Sequence, residues 1–318
     1  MKTRTLGWTG VELTTIGLGT WAMGGSGWQF SWGPQDDVQS TGAIHRAIER
    51  GINWIDTAPA YGLGHSEEIV GRAVQGMTRR PFIATKCSRV WDERGNLGSN
   101  LKADSVQREA EASLRRLRLD VIDLYQIHWG MPDEDIEEGW SAVADLIRQG
   151  KVRYGGVSNF SVAQLERIRK IHPVASVQPP YSMLVREIEQ DLLAYCAAHR
   201  IGVVCYSPMY KGLLTGRFNR ERLQQLAEDD HRRKDPRFRE PQISTNLKLV
   251  ERLVPIAQRE GRTLGELAVA WVLRRPEVTS AIVGARSAAQ VDEFVAAGDW
   301  SLPAGLESQI EGLLAQSA

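Results

Sequence analysis

Four polar residues lie at or shortly after the ends of short apolar runs, where strands would end: Asp56, Tyr61, Lys86 and His128. Together these side chains can build a proton donor. A Lys ammonium stabilises a tyrosinate and so lowers the Tyr pKa from its reference value of about 10. In that arrangement Asp56 would hold Lys86, and His128 would orient a substrate oxygen. The set therefore predicts an enzyme in which Tyr61 protonates a reacting oxygen near neutral pH.

Apolar runs alternate with amphipathic segments from about residue 15 to 297 of the 318-residue chain. The strand-like runs are 15–19, 53–55, 82–85, 121–127, 152–157, 176–178, 203–206 and 280–283. Eight alternations imply parallel strands covered by helices, hence an α/β fold. We therefore predict one domain over residues 1–318, a closed (β/α)₈ TIM barrel whose chemistry lies at the C-terminal ends of the strands.

Several segments have a separate prediction. Residues 1–14 are expected to form a hairpin that turns at Thr9–Gly10 and plugs one barrel end. The segment 211–246, after the seventh strand, is long and highly charged. We expect it to form a mobile flap over the cofactor with few apolar anchors. A further helix is expected over Thr263–Arg274. Helix N-caps are expected at Ser66, Asp104, Ser161 and Ser287.

The composition narrows the classes of function. Basic and acidic residues number 39 each, so no global field favours nucleic acid or an anionic membrane. No apolar run reaches the roughly 18 residues of a membrane span. The three cysteines, Cys87, Cys196 and Cys205, show no metal-ligand spacing, and we expect a reducing, cytoplasmic setting without a bound metal.

Ordered motifs connect the chain to a known family: Ile16–Trp21, Asp56–Gly62, Gly156–Phe160, Gln178–Tyr181, Gly212–Gly216 and Gly284–Arg286. In this order and at barrel spacing, the chain resembles the aldo/keto reductases over nearly its whole length. The likeness is strongest to the bacterial general-stress and inositol-utilisation-type reductases. It implies a catalytic tetrad of Asp56, Tyr61, Lys86 and His128, and reversible reduction of aldehydes or ketones with NADPH.

A hydride donor is required because no side chain carries a hydride. No G-x-G-x-x-G motif stands at a strand–helix junction. The resemblance implies instead that Ser158, Asn159 and Gln178 hold the carboxamide and that Tyr206 stacks on the nicotinamide. The implied cofactor-binding residues are Gly19, Thr20, Trp21, Asp56, Ser158, Asn159, Gln178, Tyr206, Ser207, Pro208, Lys211, Gly212, Leu213, Arg217, Gly284, Ala285, Arg286, Gln290 and Glu293.

The choice of cofactor depends on the segment 284–287, read as the start of the last barrel helix. Backbone N–H groups there and the guanidinium of Arg286 suit a phosphate. This favours NADPH over NADH, because only NADPH has a 2′-phosphate. Gln290 and Glu293 would reach the adenosine, although an exposed helix face is nearly as good an interpretation. Phe294 stands where many relatives have Asn, so one adenine contact is expected to be missing.

The substrate pocket is read from aromatic residues that follow the first, third and fourth strands: Trp21, Trp28, Trp32, Trp91 and Trp129. They suggest a partly apolar pocket for a small carbonyl or sugar. A short C-terminus beyond the last helix suggests an open pocket. Two alternatives stay open, an NAD(P)-dependent sugar or polyol dehydrogenase and a non-catalytic NADPH-binding regulatory subunit. The oligomeric state is not predicted.

Overall fold

Eight parallel strands close into a barrel in the computed structural model, which describes residues 1–316. In chain order the strands are β1 (Thr3–Thr5), β2 (Glu12–Thr14), β3 (Ile16–Gly19), β4 (Trp54–Asp56), β5 (Phe82–Cys87), β6 (Arg89–Trp91), β7 (Leu97–Ser99), β8 (Ile122–Ile127), β9 (Val152–Ser158), β10 (Ser176–Gln178), β11 (Gly202–Tyr206) and β12 (Val278–Gly284). The barrel consists of β3, β4, β5, β8, β9, β10, β11 and β12, each paired with its neighbour, and β12 pairs with β3. The predicted (β/α)₈ barrel and its strands are confirmed.

Helices surround the barrel. They are α1 (Asp37–Glu49), α2 (His65–Val74), α3 (Ala103–Leu117), α4 (Ile136–Arg148), α5 (Val162–Ile168), α6 (Leu192–His199), α7 (Arg220–Gln224), α8 (Gln242–Arg259), α9 (Leu264–Leu273), α10 (Ala288–Asp292) and α11 (Ala304–Ala315). The helix expected over Thr263–Arg274 is α9, with Thr263 as its N-cap. Across residues 1–316, no helix combines the length and the apolar character needed to cross a membrane.

The N-cap predictions were half right. Ser161 and Ser287 accept hydrogen bonds from the backbone N–H groups of Gln164 and Gln290 and cap α5 and α10. The N-cap predictions for Ser66 and Asp104 were wrong, because Ser66 lies inside the first turn of α2 and Asp104 inside the first turn of α3. The Ser66 hydroxyl instead contacts Thr20 at the top of β3, which ties α2 to the barrel.

The N-terminal hairpin closes one end of the barrel, as predicted. Strands β1 and β2 pair antiparallel, and Leu6 and Leu13 are fully buried. They belong to a cluster inside the barrel that includes Trp54, Leu124 and Val204. Apolar side chains therefore fill the N-terminal end, which leaves the opposite end as the open one.

Segment 211–246 is more firmly anchored than its charge suggested. Short 3₁₀ turns and α7 order its backbone. Its buried apolar residues are Leu213, Leu214, Phe218, Leu226, Phe238 and Ile243. The expectation of few apolar anchors was wrong, because these residues are scattered along the segment and form no regular pattern in the sequence.

Candidate active site

Lys86 and Asp56 form a buried ion pair at the C-terminal end of the barrel. Asp56 ends β4, and Lys86 lies near the end of the neighbouring strand β5. Lys86 Nζ donates to Asp56 Oδ2 at 2.7 Å and to Thr57 O at 2.9 Å. Both side chains are almost completely removed from solvent. A buried ammonium requires such partners, so the pair has a fixed geometry.

Tyr61 lies in the loop after β4 and faces the same ammonium. Lys86 Nζ is 3.3 Å from the Tyr61 hydroxyl oxygen. The loop is held close because Gly62 has a φ of +65° and packs on the Gly24 backbone, where a Cβ atom would come within 2.1 Å of Gly24 O. The Tyr61 ring also stacks on Trp21 at 6.3 Å between centroids. The phenol is thus positioned by the backbone as well as by Lys86.

The pKa of Tyr61 moves in the direction opposite to the one expected. Burial in the site raises the pKa of Tyr61 well above its usual value, and the charge of Asp56 raises it further. Asp56 compensates the charge of Lys86 at 2.7 Å, so the tyrosine experiences little net positive potential. Tyr61 is consequently a neutral phenol that carries its proton at neutral pH.

His128 follows β8 and faces Tyr61 edge-on. The two ring centroids are 5.9 Å apart with an interplanar angle of 84°. Burial, with the nearby charges of Lys86 and Arg89, lowers the pKa of His128 well below its usual value. The imidazole is therefore neutral, which suits a hydrogen bond to a substrate oxygen better than proton donation.

A polar network continues from His128 across the ends of β9, β10 and β11. Asn159 Nδ2 donates to His128 O at 3.1 Å, and Tyr206 OH donates to Asn159 Oδ1 at 2.8 Å. Ser158 Oγ donates to Gln178 O at 2.8 Å, and Gln178 Nε2 donates to Asp56 Oδ1 at 2.8 Å. These amides and hydroxyls lie where the resemblance predicts carboxamide recognition.

A cavity of about 1960 Å³ opens at this end of the barrel. It exceeds the roughly 300–1,000 Å³ of an ordinary ligand pocket. The predicted site residues that line it are Gly19, Trp21, Trp28, Trp32, Asp56, Tyr61, His128, Trp129, Ser158, Asn159, Gln178, Tyr206, Ser207, Pro208, Lys211, Gly212, Arg217, Gly284, Arg286, Gln290 and Glu293. Thr20, Lys86, Leu213 and Ala285 are buried behind its wall, and Trp91 lies outside the lining.

The far end of the cavity is built around Arg286. Its Nε donates to Gln35 Oε1 at 2.6 Å, and its Nη2 contacts the Pro34 carbonyl. Gln290 Oε1 accepts from the Arg286 backbone N–H, and Glu293 pairs with Arg217 at 2.6 Å. The helix that follows is α10, only five residues long, so attraction of a phosphate here depends on the guanidinium and little on a helix dipole.

Two loop segments close over one side of the cavity, and we call residues 21–36 and 211–246 together the cover. Ser31 Oγ donates to Asp229 Oδ2 at 2.7 Å, and the His231 backbone N–H donates to Ser31 O at 2.9 Å. The His231 ring lies 4.7 Å from Trp21 and 4.8 Å from Trp32 between centroids. His231 Nε2 and Trp32 Nε1 are buried without a partner within the described residues.

Comparison with known proteins identifies the family. The model of the aldo/keto reductase family matches residues 15–314. This chain belongs to the aldo/keto reductase family. It is 38% identical over 309 residues to the aldo-keto reductase YhdN of Bacillus subtilis, covering 96% of this chain and 91% of that protein.

Two further relatives show how the family varies. The chain is 34% identical over 311 residues to the NADH-specific methylglyoxal reductase of Escherichia coli, with 93% of each chain covered. The structure of the glycerol dehydrogenase AKR11B4 from Gluconobacter oxydans matches with a TM-score of 0.89 and 38% identity, covering 99% of this chain and 95% of that one. Membership supports an oxidoreductase that uses a nicotinamide cofactor, while the cofactor type and the substrate differ among relatives.

Many residues of the cavity wall were not predicted from the sequence, and two of them are basic residues that bear on the chemistry. Arg89, which lies two residues beyond the end of β5, and His231, which lies inside the cover, both line the cavity. Arg89 had a usable signal, because it comes just after the strand end that carries Lys86. His231 had none, because its neighbours Trp21 and Trp32 are some 200 residues away in the chain.

Proposed function

We propose that this aldo/keto reductase reversibly reduces aldehydes or ketones to alcohols with NADPH, and that Tyr61 is the proton donor. The observation that carries the proposal is the contact of the Tyr61 hydroxyl with Lys86 Nζ at 3.3 Å, beside the ring of a neutral His128. A non-catalytic regulatory role has less support, because all four tetrad residues are present and follow one another in space, from Asp56 to Lys86, Tyr61 and His128.

The residues around the cavity fit a nicotinamide dinucleotide. Asn159 and Gln178 offer amide donors and acceptors at the barrel centre, and the Tyr206 ring lies beside them. The buried, unpartnered nitrogens of Trp32 and His231 suit a polar ligand beneath the cover. When bound, a reduced nicotinamide supplies the hydride that no side chain can carry.

The tetrad residues then have separate tasks in the reduction. His128 hydrogen-bonds the carbonyl oxygen and orients it toward Tyr61. Tyr61 donates its proton to that oxygen while the carbonyl carbon accepts the hydride, so C=O becomes CH–OH. Lys86 stabilises the tyrosinate that remains, and Asp56 keeps the ammonium in place. In the reverse direction the ionised form of Tyr61, the tyrosinate that the forward step leaves, accepts the proton of the alcohol.

A preference for NADPH is supported by the charge at the far end of the cavity. Arg286 contacts neutral acceptors on Gln35, Trp32 and Pro34, and its charge lies near those of Arg222 and Arg232. Such a guanidinium suits a 2′-phosphate. We further propose a cytoplasmic location, because the three cysteines are free and buried, as in a reducing compartment.

A polyol dehydrogenase is the second candidate, because the matched Gluconobacter oxydans structure is a glycerol dehydrogenase. The two candidates share a site and differ in direction and substrate. A panel of carbonyls with NADPH and NADH, and of polyols with NADP⁺ and NAD⁺, separates them. Our proposal predicts a higher kcat/KM for carbonyl reduction with NADPH. A higher kcat/KM for polyol oxidation would favour the alternative, and no turnover with any pair would contradict both.

A further inference from the structure

Arg89 is a charged residue of the cavity wall that the proposed mechanism does not use. It begins β6, is partly buried, and lines the cavity with Leu97, His128 and Met131. Nη1 donates to Ser99 Oγ at 2.8 Å. Within residues 1–316, no carboxylate lies within ion-pair distance of Arg89. A partly buried guanidinium with free donors and no counter-charge is costly unless a ligand supplies an anion.

The backbone that carries Arg89 is tightly held. Ser88 has a φ of +75°, an uncommon conformation for a residue other than glycine. The Ser88 hydroxyl bonds to both the N–H and the carbonyl of Trp129 at 3.2 Å, and Asn100 N donates to Ser88 O at 3.1 Å. Strain of this kind persists only where the surroundings fix it. The start of β6 is therefore fixed against the loop that carries His128.

Arg89 also lies near the proposed reaction centre. Arg89 and His128 follow the neighbouring strands β5 and β8, where Cys87 pairs with Ile127. The charge of Arg89 also contributes to the lowered pKa of His128. The other cation near His128, Lys86, is already balanced by Asp56. The neighbouring rim carries Phe30, Trp129 and Met131, which are large, apolar and exposed. Apolar surroundings strengthen an ionic contact because they lower the local dielectric constant.

We propose that Arg89 binds an anionic group of the substrate, a carboxylate or a phosphate, and that aldehydes or ketones with such a group are preferred. This inference rests on the proposed function and deepens it. The planar guanidinium can hold either anion through two parallel N–H bonds. The anion would lie near the carbonyl, since Arg89 and His128 both line the cavity and the His128 backbone N–H donates at 3.0 Å to Cys87 O, two residues before Arg89.

Matched substrate pairs test the preference directly. Succinic semialdehyde is compared with butanal, and glyceraldehyde 3-phosphate with glyceraldehyde, in steady-state reduction with the better cofactor. We expect a kcat/KM about 10–100-fold higher for the anionic member of at least one pair, since hydrogen bonds to charged groups have that strength. The pair with the larger ratio shows whether the natural anion is a carboxylate or a phosphate.

Variants assign the preference to Arg89. Arg89→Gln should lower the ratio of kcat/KM for the anionic to the neutral substrate about 10–100-fold. Arg89→Lys should retain part of the preference, because lysine keeps the charge but lacks the planar pair of N–H donors. Arg94→Gln is the matched control, since Arg94 lies on the same hairpin, is exposed and does not line the cavity. It should leave both members of each pair unchanged.

Three results would overturn the inference while leaving the proposed function intact. They are ratios near one for both pairs, ratios that favour the neutral members, or ratios unaltered by Arg89→Gln. Titration calorimetry with succinate gives a second readout that does not need turnover. Binding weakened about tenfold or more by Arg89→Gln but not by Arg94→Gln would support the site, and equal affinities in all three proteins would reject it. Absence of any carbonyl reduction would instead contradict the proposed function.

Discussion

The tetrad and the cover are built in different ways. Asp56 and Lys86 come from neighbouring barrel strands and are bonded within the barrel rim. The cover depends on contacts such as Ser31 to Asp229, which join residues 198 positions apart. Local opening costs little where few buried contacts cross between segments. The comparison indicates that adjacent barrel strands hold the tetrad, while contacts between segments far apart in the chain hold the cover. We propose that the cover controls access to the cofactor.

The two regions also differ in their charge balance. In the tetrad the charge of Lys86 is compensated by Asp56 in a dry site. Arg222 in the cover and Arg286 beside it have no ion-pair partner within the described residues. Burial and the charges of Arg232 and Arg222 lower the pKa of Arg286, although Asp230 opposes the shift. The first arrangement suits a proton donor, and the second suits an anionic cofactor.

Replacing Lys86 with Met should give the largest loss of turnover that we predict. Together with a double variant, it distinguishes an effect on catalysis from an effect on stability. The rate should fall by about 10²–10⁴, because the tyrosinate loses the Lys86 ammonium as its hydrogen-bond donor. Asp56 would be left buried and unpaired, at a cost of about 3–5 kcal/mol in the free energy of unfolding. The double variant Lys86→Met/Asp56→Asn should regain stability without regaining turnover. Wild-type turnover by the double variant would show that the ion pair serves only the fold.

Acidification should weaken the cover before it affects the tetrad. Burial, and then the charge of Lys211, lowers the pKa of His231 to about 4. An unfolded His titrates near 6.5, so this stabilisation is complete above about pH 6.5 and is lost as the pH falls toward 4, up to about 3 kcal/mol. Amide exchange in 211–246, corrected for intrinsic rates, should report more opening at pH 5 than at pH 7. His231→Gln should remove that pH dependence, and equal pH dependence in both proteins would contradict the assignment.

Removing the Arg286 side chain should impair the cover end and leave the tetrad intact. Arg286→Ala should weaken NADPH binding about 10–100-fold and NADH binding much less, because only NADPH has a 2′-phosphate. Fluorescence titration with both cofactors measures the two affinities. Arg108→Ala, an exposed arginine on the outer face of α3, is the control. Equal losses for both cofactors would show that Arg286 does not recognise the phosphate.

Cofactor binding should protect the cover more than the barrel helices, and this is the smallest effect we predict. With buried residues such as Phe218 and Phe238 as anchors, the change should be largest in the mostly exposed stretch 219–225. Hydrogen exchange with and without saturating NADP⁺ measures it. Unchanged exchange across 211–246, with binding shown by titration, would end the proposal that this segment is a flap.

The barrel was predictable from the sequence, and so was the meeting of the proposed tetrad residues at one end of it, for a physical reason. Strands of parallel sheets are short apolar runs, and the residues at their ends meet at one edge, so Asp56, Lys86 and His128 could be placed together without coordinates. The closing hairpin was readable from Thr9–Gly10 in the same local way. Features that depend on neighbours in the sequence could therefore be predicted from it.

Long-range contacts and the compensation of one charge by another could not be predicted from the sequence. The raised pKa of Tyr61 requires the distance between Asp56 and Lys86, which a sequence does not give. Ser66 was assigned to a cap, yet its hydroxyl bonds to Thr20 on another element. His231 acquires its position from Ser31, 200 residues earlier in the chain, and only folding brings the two together.

The central claim is that Tyr61 donates the proton, and Tyr61→Phe tests it most directly. The variant loses only the hydroxyl beside Lys86, so NADPH should bind nearly as in the wild type while carbonyl reduction falls by about 10²–10⁴. Tyr195→Phe, which removes a hydroxyl on the outer face of α6, should keep wild-type turnover. Single-turnover reduction at saturating NADPH is the measurement. A Tyr61→Phe rate equal to that of the wild type, with every substrate that the wild type reduces, would contradict the account.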